Sequence, residues 1–439
     1  MDTAVSACLV TGPDSRPEIT DGAPEWCPWL HAKSDRLKAV VADVASQALN
    51  AERIIPAFKR TRARRPADLA VFLGTVEALV CHAAYEYLRG AGLVRLSLSK
   101  QNLARASRYL SPLQSKQLPT IVRLLSSPDL GFLTFKAGEA PTPFSPGRQT
   151  RIGAGPRLVS RLHGIDLDDI GRRDGEEVIL LKGDRDDVAN ASGLVEYDDT
   201  TDTFGYRSEV QKINAHLVAA DIEYVGSTPL VDERSRHLVR RFTRAYFGSG
   251  GRLWGGFWQR LQKADRLANV RISGERVVSV DYASMIARIA YAYAGTMPPP
   301  GDLYGFTFKG AEGSPVVLPR GVVKKIFAAR LNGAKDWPEE LRQHRAGLPW
   351  RCVVAGLKEA HAPIAAILDR DLGQAFAFTE SEILVDVLLR LIEKDVTALP
   401  VHDCIVVAES DLADAERVML DSFKFHTRQP GCVAIERAP

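Results

Sequence analysis

The 439-residue sequence lacks three features that would assign it to special classes of protein. No apolar run approaches the roughly 18 residues of a membrane-spanning helix, and the N-terminus has no basic start followed by a long apolar stretch. The six cysteines are scattered and form no Cys-x-x-Cys pair, which argues against a zinc ribbon and a disulfide framework. These absences predict a reduced, cytoplasmic protein with no membrane partner.

The sequence as a whole also has little excess charge of either sign. Lys and Arg number 57 against 54 Asp and Glu, and the resulting net charge of +3 says little about partners, because the distribution of charge matters more. Hydrophobic residues at 45% and charged residues at 25% are ordinary for a globular protein and exclude disorder. At roughly 100–200 residues per domain, the length predicts two to four domains.

The N-terminal segment, predicted as a domain over 1–165, contains a basic run and several helix signals. The run RIIPAFKRTRARR at 53–65 is followed by apolar residues at three-and-four spacing over 67–90, which predicts an amphipathic helix ending near Gly90. Two shorter helices and a β-hairpin from about 131 to 151 are predicted next.

This order of elements fits a mainly helical domain of the winged helix-turn-helix type. Ser99 is positioned to cap the first short helix, and Ser111 to start the second, which is predicted to run towards Leu125. The side chains that the second helix would present are Gln114, Lys116, Gln117 and Arg123. A helical protein-interaction module has the same spacing, so both DNA binding and protein binding remain open.

The next segment, 166–245, is predicted as a linker followed by a short thumb-like region. Its acidic runs at 183–187 and 197–202 are rich in turn residues and are interpreted as solvated loops. A helical pattern begins at Arg207. It precedes a second basic run interleaved with aromatic residues, which suits a sugar-phosphate backbone and equally a core with a charged outer face.

Two aspartates stand where the hydrophobic pattern changes. Residues 277–280 are predicted as a buried strand and the pattern after Asp281 is helical, so Asp281 lies between strand and helix. Residues 399–401 and 405–408 are predicted as two short strands, with His402 and Asp403 in the turn between them.

Two carboxylates in such positions are suited to holding two Mg²⁺ ions, or Mn²⁺, roughly 3.5 to 4 Å apart. In-line phosphoryl transfer uses such a pair of ions, one at the attacking hydroxyl and one at the triphosphate and leaving pyrophosphate. Single aspartates near strand ends are also common in ordinary turns. The two positions alone therefore do not separate a metal site from turn chemistry.

Four motifs in order resemble the palm and fingers of family A DNA polymerases, the class of DNA polymerase I, over about 205–439. VSVDYASMIAR resembles the first carboxylate motif, with Asp281 followed by Arg288. LPVHDCIVV resembles the second, which contains Asp403. PRGVVKKIFAARLNGA resembles the fingers helix, with Arg320 and Lys324 at the expected spacing, and GSGGRLWG resembles the motif that contacts the primer.

The resemblance implies an α+β right-hand polymerase with palm and fingers over 246–439. It implies a template-directed DNA polymerase with a two-metal mechanism and no proofreading exonuclease, acting as a monomer on a DNA primer-template with deoxynucleoside triphosphates. The implied roles are metal binding and catalysis for Asp281 and Asp403, and a grip on the triphosphate for Arg320 and Lys324. The residues expected to contact primer or template are Arg252, Arg288, His402, Glu380 and Ser381. Helix capping at Thr379 or Ser381 is the alternative for the last of these.

Departures from the family pattern concern the sugar of the nucleotide. Ile286 stands where the family has a glutamate that excludes the 2′-hydroxyl, and Cys404 replaces the glutamate of the second motif. Ala328 and Asn332 replace aromatic residues of the fingers helix. Ribonucleotides are therefore possible substrates. A catalytically silent DNA-binding replication or regulatory factor, and an RNA-synthesising or primer-making enzyme on the same palm, remain as alternatives.

Overall fold

A computed structural model describes residues 23–140, 142, 147–183, 193–228, 231–310, 313–345 and 347–438. The chain forms two compact units, unit 1 (Met1–Glu176) and unit 2 (Glu177–Pro439). Each unit mixes helices with strands that pair mainly in antiparallel fashion, so the protein is of the α+β class. The division falls after residue 176, whereas the sequence predicts domain ends at 165 and 245.

Unit 1 combines two long helices with short strands. Its helices are α1 (Asp35–Ile54), α2 (Pro66–Leu88), α3 (Lys100–Leu103), α4 (Leu118–Leu125) and α5 (Pro156–Val159). Its strands are β1 (Leu30–Ala32), β2 (Val94–Leu96), β3 (Leu133–Lys136), β4 (Thr150–Ala154) and β5 (Ile170–Arg172). Strands β2, β4 and β3 form an antiparallel sheet in that order, and β1 pairs with β5. Both long helices contribute to one apolar core. Its buried side chains include Leu37, Phe72 and Leu79.

Helix α2 corresponds to the helix predicted over 67–90, and Gly90 just beyond it has the positive φ of 79° that suits a glycine cap. The predicted amphipathic character is wrong for its second half, because every residue from 78 to 86 is buried. By length and composition alone, α2 is apolar enough to cross a membrane. However, 56% of its most apolar stretch is buried inside the structure, and core helices of soluble proteins pass the same test. The absence of a membrane partner therefore stays a prediction.

The second helix of the predicted winged-helix module is shorter than expected. Helix α4 begins at Leu118, so the placement of Gln114, Lys116 and Gln117 on it is wrong, and only Arg123 lies within it. The preceding residues form two turns, in which Ser111 Oγ accepts a hydrogen bond from Leu113 N and Ser115 Oγ accepts one from Gln117 N. Such local side-chain bonds offer the backbone an alternative to the helix. The predicted hairpin corresponds to β3 and β4, while a winged-helix function stays a prediction.

Unit 2 contains most of the helices and the larger sheet. Its helices are α6 (Thr201–Ala219), α7 (Lys263–Asn269), α8 (Met285–Tyr293), α9 (Arg320–Leu331), α10 (Trp350–Ala360), α11 (Gly373–Ile392) and α12 (Leu412–Thr427). Its strands are β6 (Ile179–Leu181), β7 (Ile222–Tyr224), β8 (Val239–Thr243), β9 (Tyr246–Trp254), β10 (Val270–Ile272), β11 (Glu275–Tyr282), β12 (Phe308–Lys309), β13 (Pro315–Val316), β14 (Ala398–Val401), β15 (Cys404–Ala408) and β16 (Val433–Glu436).

The six-stranded sheet of unit 2 has β11 at its centre. The strand order is β14-β15-β11-β10-β7, and β16 pairs with the end of β11. A three-stranded sheet, β6-β8-β9, packs against α11, whose apolar side chains Ile383, Leu384 and Leu388 join the main core. The long apolar stretches of β11 and β15 are buried on both faces, which is why their sequences show no polar alternation.

The segment predicted as a linker is folded into the two units. Ile179 and Leu181 of β6 pack with Phe242 of β8 in a small apolar cluster. The acidic run at 197–202 is exposed from Asp198 onward, as predicted, and it is anchored because Asp199 Oδ1 accepts a 2.7 Å bond from Arg207 and Thr200 caps α6. Most of the other acidic run, at 184–187, lies outside the described residues. A thumb-like role for the region near 205–245 stays a prediction.

Candidate functional site

Asp281 lies near the end of the central strand of the larger sheet. In the antiparallel register it is opposite Cys404 of β15 on one side and opposite Ala434 of β16 on the other. The strand ends one residue later, and Ser284, with a φ of 56°, turns the chain into α8. The predicted change from strand to helix at Asp281 is confirmed, and its cause is the switch from a buried apolar run to a three-and-four apolar pattern.

Asp403 lies in the tight turn between β14 and β15. His402 adopts a left-handed conformation with φ 58°, which allows the two strands to join through only two residues. The carbonyl oxygen of Asp403 accepts a 3.2 Å hydrogen bond from the backbone N–H of Tyr282. This bond ties the turn to the end of β11. The sheet therefore brings Asp281 and Asp403 together, and we call these two residues the carboxylate pair.

The carboxylate pair is electrostatically unbalanced. Burial and the neighbouring negative charge of Asp403 raise the pKa of Asp281 to about 7, although Lys324 and Lys263 act in the opposite direction. Asp281 Oδ1 is buried and has no hydrogen-bond partner among the described residues. A buried carboxylate oxygen without a donor is unfavourable unless a cation or proton satisfies it.

A group of side chains that the sequence patterns missed holds the turn in place. The carbonyl oxygen of Pro400 accepts hydrogen bonds from Trp258 Nε1 at 2.9 Å and from Gln259 Nε2 at 3.0 Å. Trp258 is fully buried, and the carbonyl oxygens of Trp258 and Leu261 are bound in turn by the buried guanidinium of Arg266. The signal in the sequence was the aromatic-rich stretch around 254–258, whose partner on a distant strand no local pattern reveals.

Arg252 is held close to the carboxylate pair by an acidic residue of α11. Its Nε donates a 2.6 Å bond to Glu380 Oε1, and Glu380 is 1% exposed. Burial would lower the pKa of Arg252, but Glu380 and Asp403 raise it, so this guanidinium stays charged. Burial raises the pKa of Glu380, an effect that Arg252 opposes.

Ser381 and its neighbours lie inside α11 rather than at a helix end. The helix begins at Gly373, so the alternative of capping at Thr379 or Ser381 is wrong. Ser381 Oγ donates to its own helix at Phe378 O and accepts from Arg240 Nη2 at 3.1 Å. Both of its hydrogen-bonding functions are therefore used within the protein. Its contact with primer or template stays a prediction with no free polar group to support it.

Arg240 is a fully buried cation that sequence reasoning did not single out. Its Nε donates to Gly251 O at 2.9 Å and its Nη1 to Glu209 Oε2 at 3.2 Å, while Nη2 also contacts Glu382. The guanidinium lies 4.8 Å from the ring centre of Tyr206. Arg240 thus joins β9, α6 and α11, and its internal bonds make it a structural residue.

His402 occupies the same turn as Asp403. Its ring is 4.9 Å from the ring of Trp254 in an edge-to-face arrangement, and its Nδ1 is buried without a partner among the described residues. Burial, followed by the nearby charge of Arg252, lowers the pKa of His402. A neutral imidazole at neutral pH is the consequence, so the side chain can exchange hydrogen bonds without adding charge.

The two cations of α9 predicted to bind the triphosphate have different surroundings. Arg320 Nε donates a 2.8 Å bond to Asp302 Oδ2, and its guanidinium lies 5.5 Å from the ring centre of Tyr304. Lys324 is exposed and has no ion-pair partner within the described part of the chain. Its charge nevertheless acts on Asp281 and Glu380, where it opposes the rise in pKa that burial causes in both. Lys324 is therefore a cation of α9 whose charge acts on the carboxylate pair.

The remaining predicted residues take ordinary structural positions. Ile286 is half-buried and packs against the main core. Arg288 Nε donates to Ala283 O at 2.9 Å, within the turn that precedes α8. Ala328 is half-buried, and its carbonyl oxygen accepts from Asn332 Nδ2 at 2.8 Å, while Asn332 Oδ1 accepts from Gln374 at 3.2 Å. Roles for these four residues in binding stay predictions.

The chemistry of the carboxylate pair fits Mg²⁺. No group of three or more His, Cys, Asp and Glu side chains is arranged to hold a metal among the described residues. Mg²⁺, however, is commonly bound in proteins through one or two carboxylates together with substrate phosphates and water. The unpartnered Asp281 Oδ1 and the mutual repulsion of the pair are the features that such a cation would relieve.

The fold and the site together define a mixed α+β protein with a carboxylate pair at one end of the interior strands of a sheet. No protein-family model matches the chain, and no curated protein does so. Among solved structures, the chain is similar to the POL domain of Pol1 from M. smegmatis in complex with a DNA primer-template and dNTP. The identity is 9% and the TM-score 0.30, with 93% of this chain and 66% of that chain covered, slightly less than two thirds of the latter. Values this low do not establish a shared fold or activity.

Proposed function

We propose that unit 2 is a template-directed nucleotidyltransferase that extends a DNA primer, with Asp281 and Asp403 as its metal-binding carboxylates. The observation that carries this proposal is the carboxylate pair itself. A partly buried Asp281 with an unpartnered oxygen lies beside a second carboxylate, and the pKa of Asp281 is raised to about 7. Such a perturbed pair is typical of functional sites rather than of turns that only stabilise a fold.

Each side chain has a defined task in this proposal. Asp281 and Asp403 would hold Mg²⁺, which when bound supplies positive charge at the attacking hydroxyl and at the triphosphate. Lys324 adds a fixed positive charge for the triphosphate. Arg252, held by Glu380, and the neutral His402 are available to position the primer end. In the reaction a primer hydroxyl forms a bond to the α-phosphorus, and the bond to the leaving pyrophosphate breaks.

We assign Arg320 a smaller role in binding the triphosphate than the family pattern implies. Its guanidinium is engaged by Asp302, so it would have to leave that ion pair before it could bind a phosphate. An exposed pair of this kind is worth little, about 0–1 kcal/mol, and does not prevent such an exchange. Lys324 requires no comparable rearrangement.

The nucleotide sugar is the least restricted part of the proposed substrate. Ile286 offers no hydrogen bond, and apolar fit alone separates similar substrates by only about 10- to 200-fold. We therefore propose that deoxynucleotides are preferred by a modest factor and that ribonucleotides are also accepted. Competition between matched deoxy- and ribonucleotides at one template position measures this ratio, and discrimination far above a thousandfold would contradict it.

Primer extension by the purified protein tests the proposed function. The assay uses a labelled DNA primer on a defined template, with the four deoxynucleotides and, in parallel, the four ribonucleotides. Extension that requires Mg²⁺ or Mn²⁺ and stops when EDTA is added is the expected result. A protein that binds the primer-template but adds no nucleotide with either metal would support the alternative of a catalytically silent DNA-binding factor.

A further inference from the structure

Residues 53–65 of unit 1, which we call the basic loop, comprise the last two residues of α1 and the connection from α1 to the start of α2. The basic residues of this segment are Arg53, Lys59, Arg60, Arg62, Arg64 and Arg65. Together with Glu52 they carry a net charge of +5, whereas the whole chain carries +3. The excess positive charge of the protein is thus concentrated in one short connection.

One arginine of the basic loop is directed inward and fixes the loop. Arg64 binds both carboxylate oxygens of Glu52, with Nη2 to Oε1 at 2.6 Å, and the two side chains are 7% and 5% exposed. The guanidinium also lies 3.9 Å from the ring centre of Phe72. The backbone N–H of Arg60 donates to Glu52 O at 2.9 Å. This buried bidentate ion pair, together with the backbone hydrogen bond, holds the loop in a defined conformation.

The other five cations of the basic loop are exposed and uncompensated. Within the described part of the chain, none of them has an ion-pair partner. Some exposed cations elsewhere, such as Arg342 and Arg417, are matched by a carboxylate. Like charges fixed close together repel each other, and a polyanion that replaces their counterions relieves this repulsion.

The composition of the loop indicates which polyanion it fits. Four of the five exposed cations are arginine, whose planar guanidinium binds phosphate through two hydrogen bonds. The single aromatic residue, Phe58, is half-buried against the core of unit 1, so the loop offers no ring on which bases could stack. Ile54 is its one exposed large apolar side chain, whereas membrane-surface segments insert several.

We propose that the basic loop binds the sugar-phosphate backbone of a nucleic acid without reading its sequence. The charges of the two units favour this assignment. Unit 1 has 24 basic and 18 acidic residues, whereas unit 2, which contains the carboxylate pair, has 33 basic and 36 acidic residues. The unit with net negative charge gains little long-range attraction for a polyanion, and unit 1 supplies it. The proposal does not depend on nucleotide transfer by unit 2.

Fluorescence anisotropy with the full chain tests the basic loop. The probes are two labelled 20-base-pair duplexes of different sequence, titrated at KCl concentrations from 50 to 200 mM. The variant Arg60→Gln/Arg62→Gln/Arg65→Gln should bind both duplexes about 10- to 100-fold more weakly at 0.1 M KCl. The slope of log K against log salt should fall by about 2 to 3, because three phosphate contacts are lost.

Two matched variants separate the loop from net charge and from folding. Lys33→Gln/Lys38→Gln/Lys136→Gln removes the same charge from exposed positions of unit 1 and should bind almost as tightly as the unmodified protein. Arg60→Lys/Arg62→Lys/Arg65→Lys keeps the charge and should retain the salt slope. Equal losses in the two glutamine variants, or an unchanged affinity and slope in the loop variant, would overturn the proposal. Loop-dependent binding to phosphatidylserine vesicles without loop-dependent binding to DNA would also overturn it.

Discussion

Unit 2 contains two partly buried carboxylates whose surroundings act in opposite directions. Asp281 lies beside another carboxylate, and burial followed by that charge raises its pKa to about 7. Asp386, on α11, accepts a 2.9 Å bond from Arg390 Nε, and its Oδ2 lies 3.5 Å from His426 Nε2. There, the effect of burial is outweighed by His426, Arg390 and Ser422, which lower the pKa of Asp386 to about 2.

The difference shows that burial alone does not mark a functional carboxylate. The Asp386 side chain is 24% exposed, and Arg390 on α11 and His426 on α12 lie beside it, although its Oδ2 is, like Asp281 Oδ1, buried without a hydrogen-bond partner in the described part of the chain. At Asp281 the structure supplies a second negative charge instead. A carboxylate with cationic neighbours is typical of a structural residue, whereas one beside a second carboxylate indicates a site for a cation that the protein does not itself provide.

The largest expected difference between the carboxylate pair and Asp386 is the loss of nucleotide incorporation when the carboxylate charge is removed. We expect Asp281→Asn and Asp403→Asn each to lower nucleotide incorporation by at least about a thousandfold, because each removes a metal-binding charge that positions the reacting groups. Asp386→Asn should retain incorporation within about threefold. Single-nucleotide primer extension under saturating nucleotide measures these rates.

Binding and a matched exposed position provide the controls for this result. All three variants should keep the affinity of the unmodified protein for the primer-template, and Asp421→Asn, on the exposed surface of α12, should change neither quantity. Near-normal incorporation by Asp281→Asn or Asp403→Asn would contradict the metal-binding role. A loss of incorporation in Asp386→Asn as large as that in Asp281→Asn would remove the distinction between the two sites.

Lys324 should affect nucleotide binding more than its neighbour in sequence. We expect Lys324→Gln to weaken the apparent affinity for the nucleotide about 10- to 100-fold, because its charge faces the carboxylate pair. Lys325→Gln, an equally exposed cation one residue away, serves as the control and should have little effect. The nucleotide concentration at half-maximal incorporation is the quantity measured. Equal effects of the two substitutions would reassign this face of α9 to a solvated surface.

The sequence predicted the local frame of the site and missed its supports. The strand that carries Asp281 and the turn that carries Asp403 follow from apolar period and turn chemistry over fewer than ten residues. The bond from Trp258 to the Pro400 carbonyl spans 142 positions, and the pair of Arg252 with Glu380 spans 128. Only the packed fold brings such residues together, so no local pattern predicts them.

The error at α4 and the unpredicted anchoring of the acidic run have a related cause. Side chains at 111–117 bind nearby backbone groups, and this competes with the helix that the capping signal predicted. At 197–202 the side chains from Asp198 onward are exposed, as the acidic composition predicted, but Arg207 binds Asp199, 8 positions away. Composition gives the number of charges in a segment, whereas the fold decides which of them are paired.

The two carboxylates should also have opposite effects on stability. At pH 8 we expect Asp281→Asn to raise the free energy of unfolding by about 1–3 kcal/mol, because it removes a buried charge that the fold does not balance. Asp386→Asn should lower it by about 1–2 kcal/mol, because it removes a charge that Arg390 stabilises. Urea denaturation followed by tryptophan fluorescence reports mainly on unit 2, which holds four of the six tryptophans.

The contributions of Asp281 and Asp386 to stability should change in opposite directions as the pH falls. The raised pKa of Asp281 means that the folded protein binds more protons than the unfolded chain between about pH 4 and 7, so its contribution to stability declines as the pH rises through that range. The lowered pKa of Asp386 means that its contribution is present above about pH 4 and is lost as the pH falls towards 2. The stabilisation by Asp281→Asn should therefore shrink at pH 5. A stabilisation equally large at pH 5 and pH 8 would assign it to packing instead of charge.

The smallest expected effect is that of Mg²⁺ on stability in the absence of any substrate. A cation bound by the folded carboxylate pair adds about 1 kcal/mol when its concentration is several times its dissociation constant. Because Asp281 must lose its proton to bind, the gain with MgCl₂ should be larger at pH 8 than at pH 5.5. KCl at equal ionic strength controls for screening. Asp281→Asn should abolish the gain and Asp386→Asn should keep it, whereas a gain of the same size in both variants would place Mg²⁺ elsewhere on the protein.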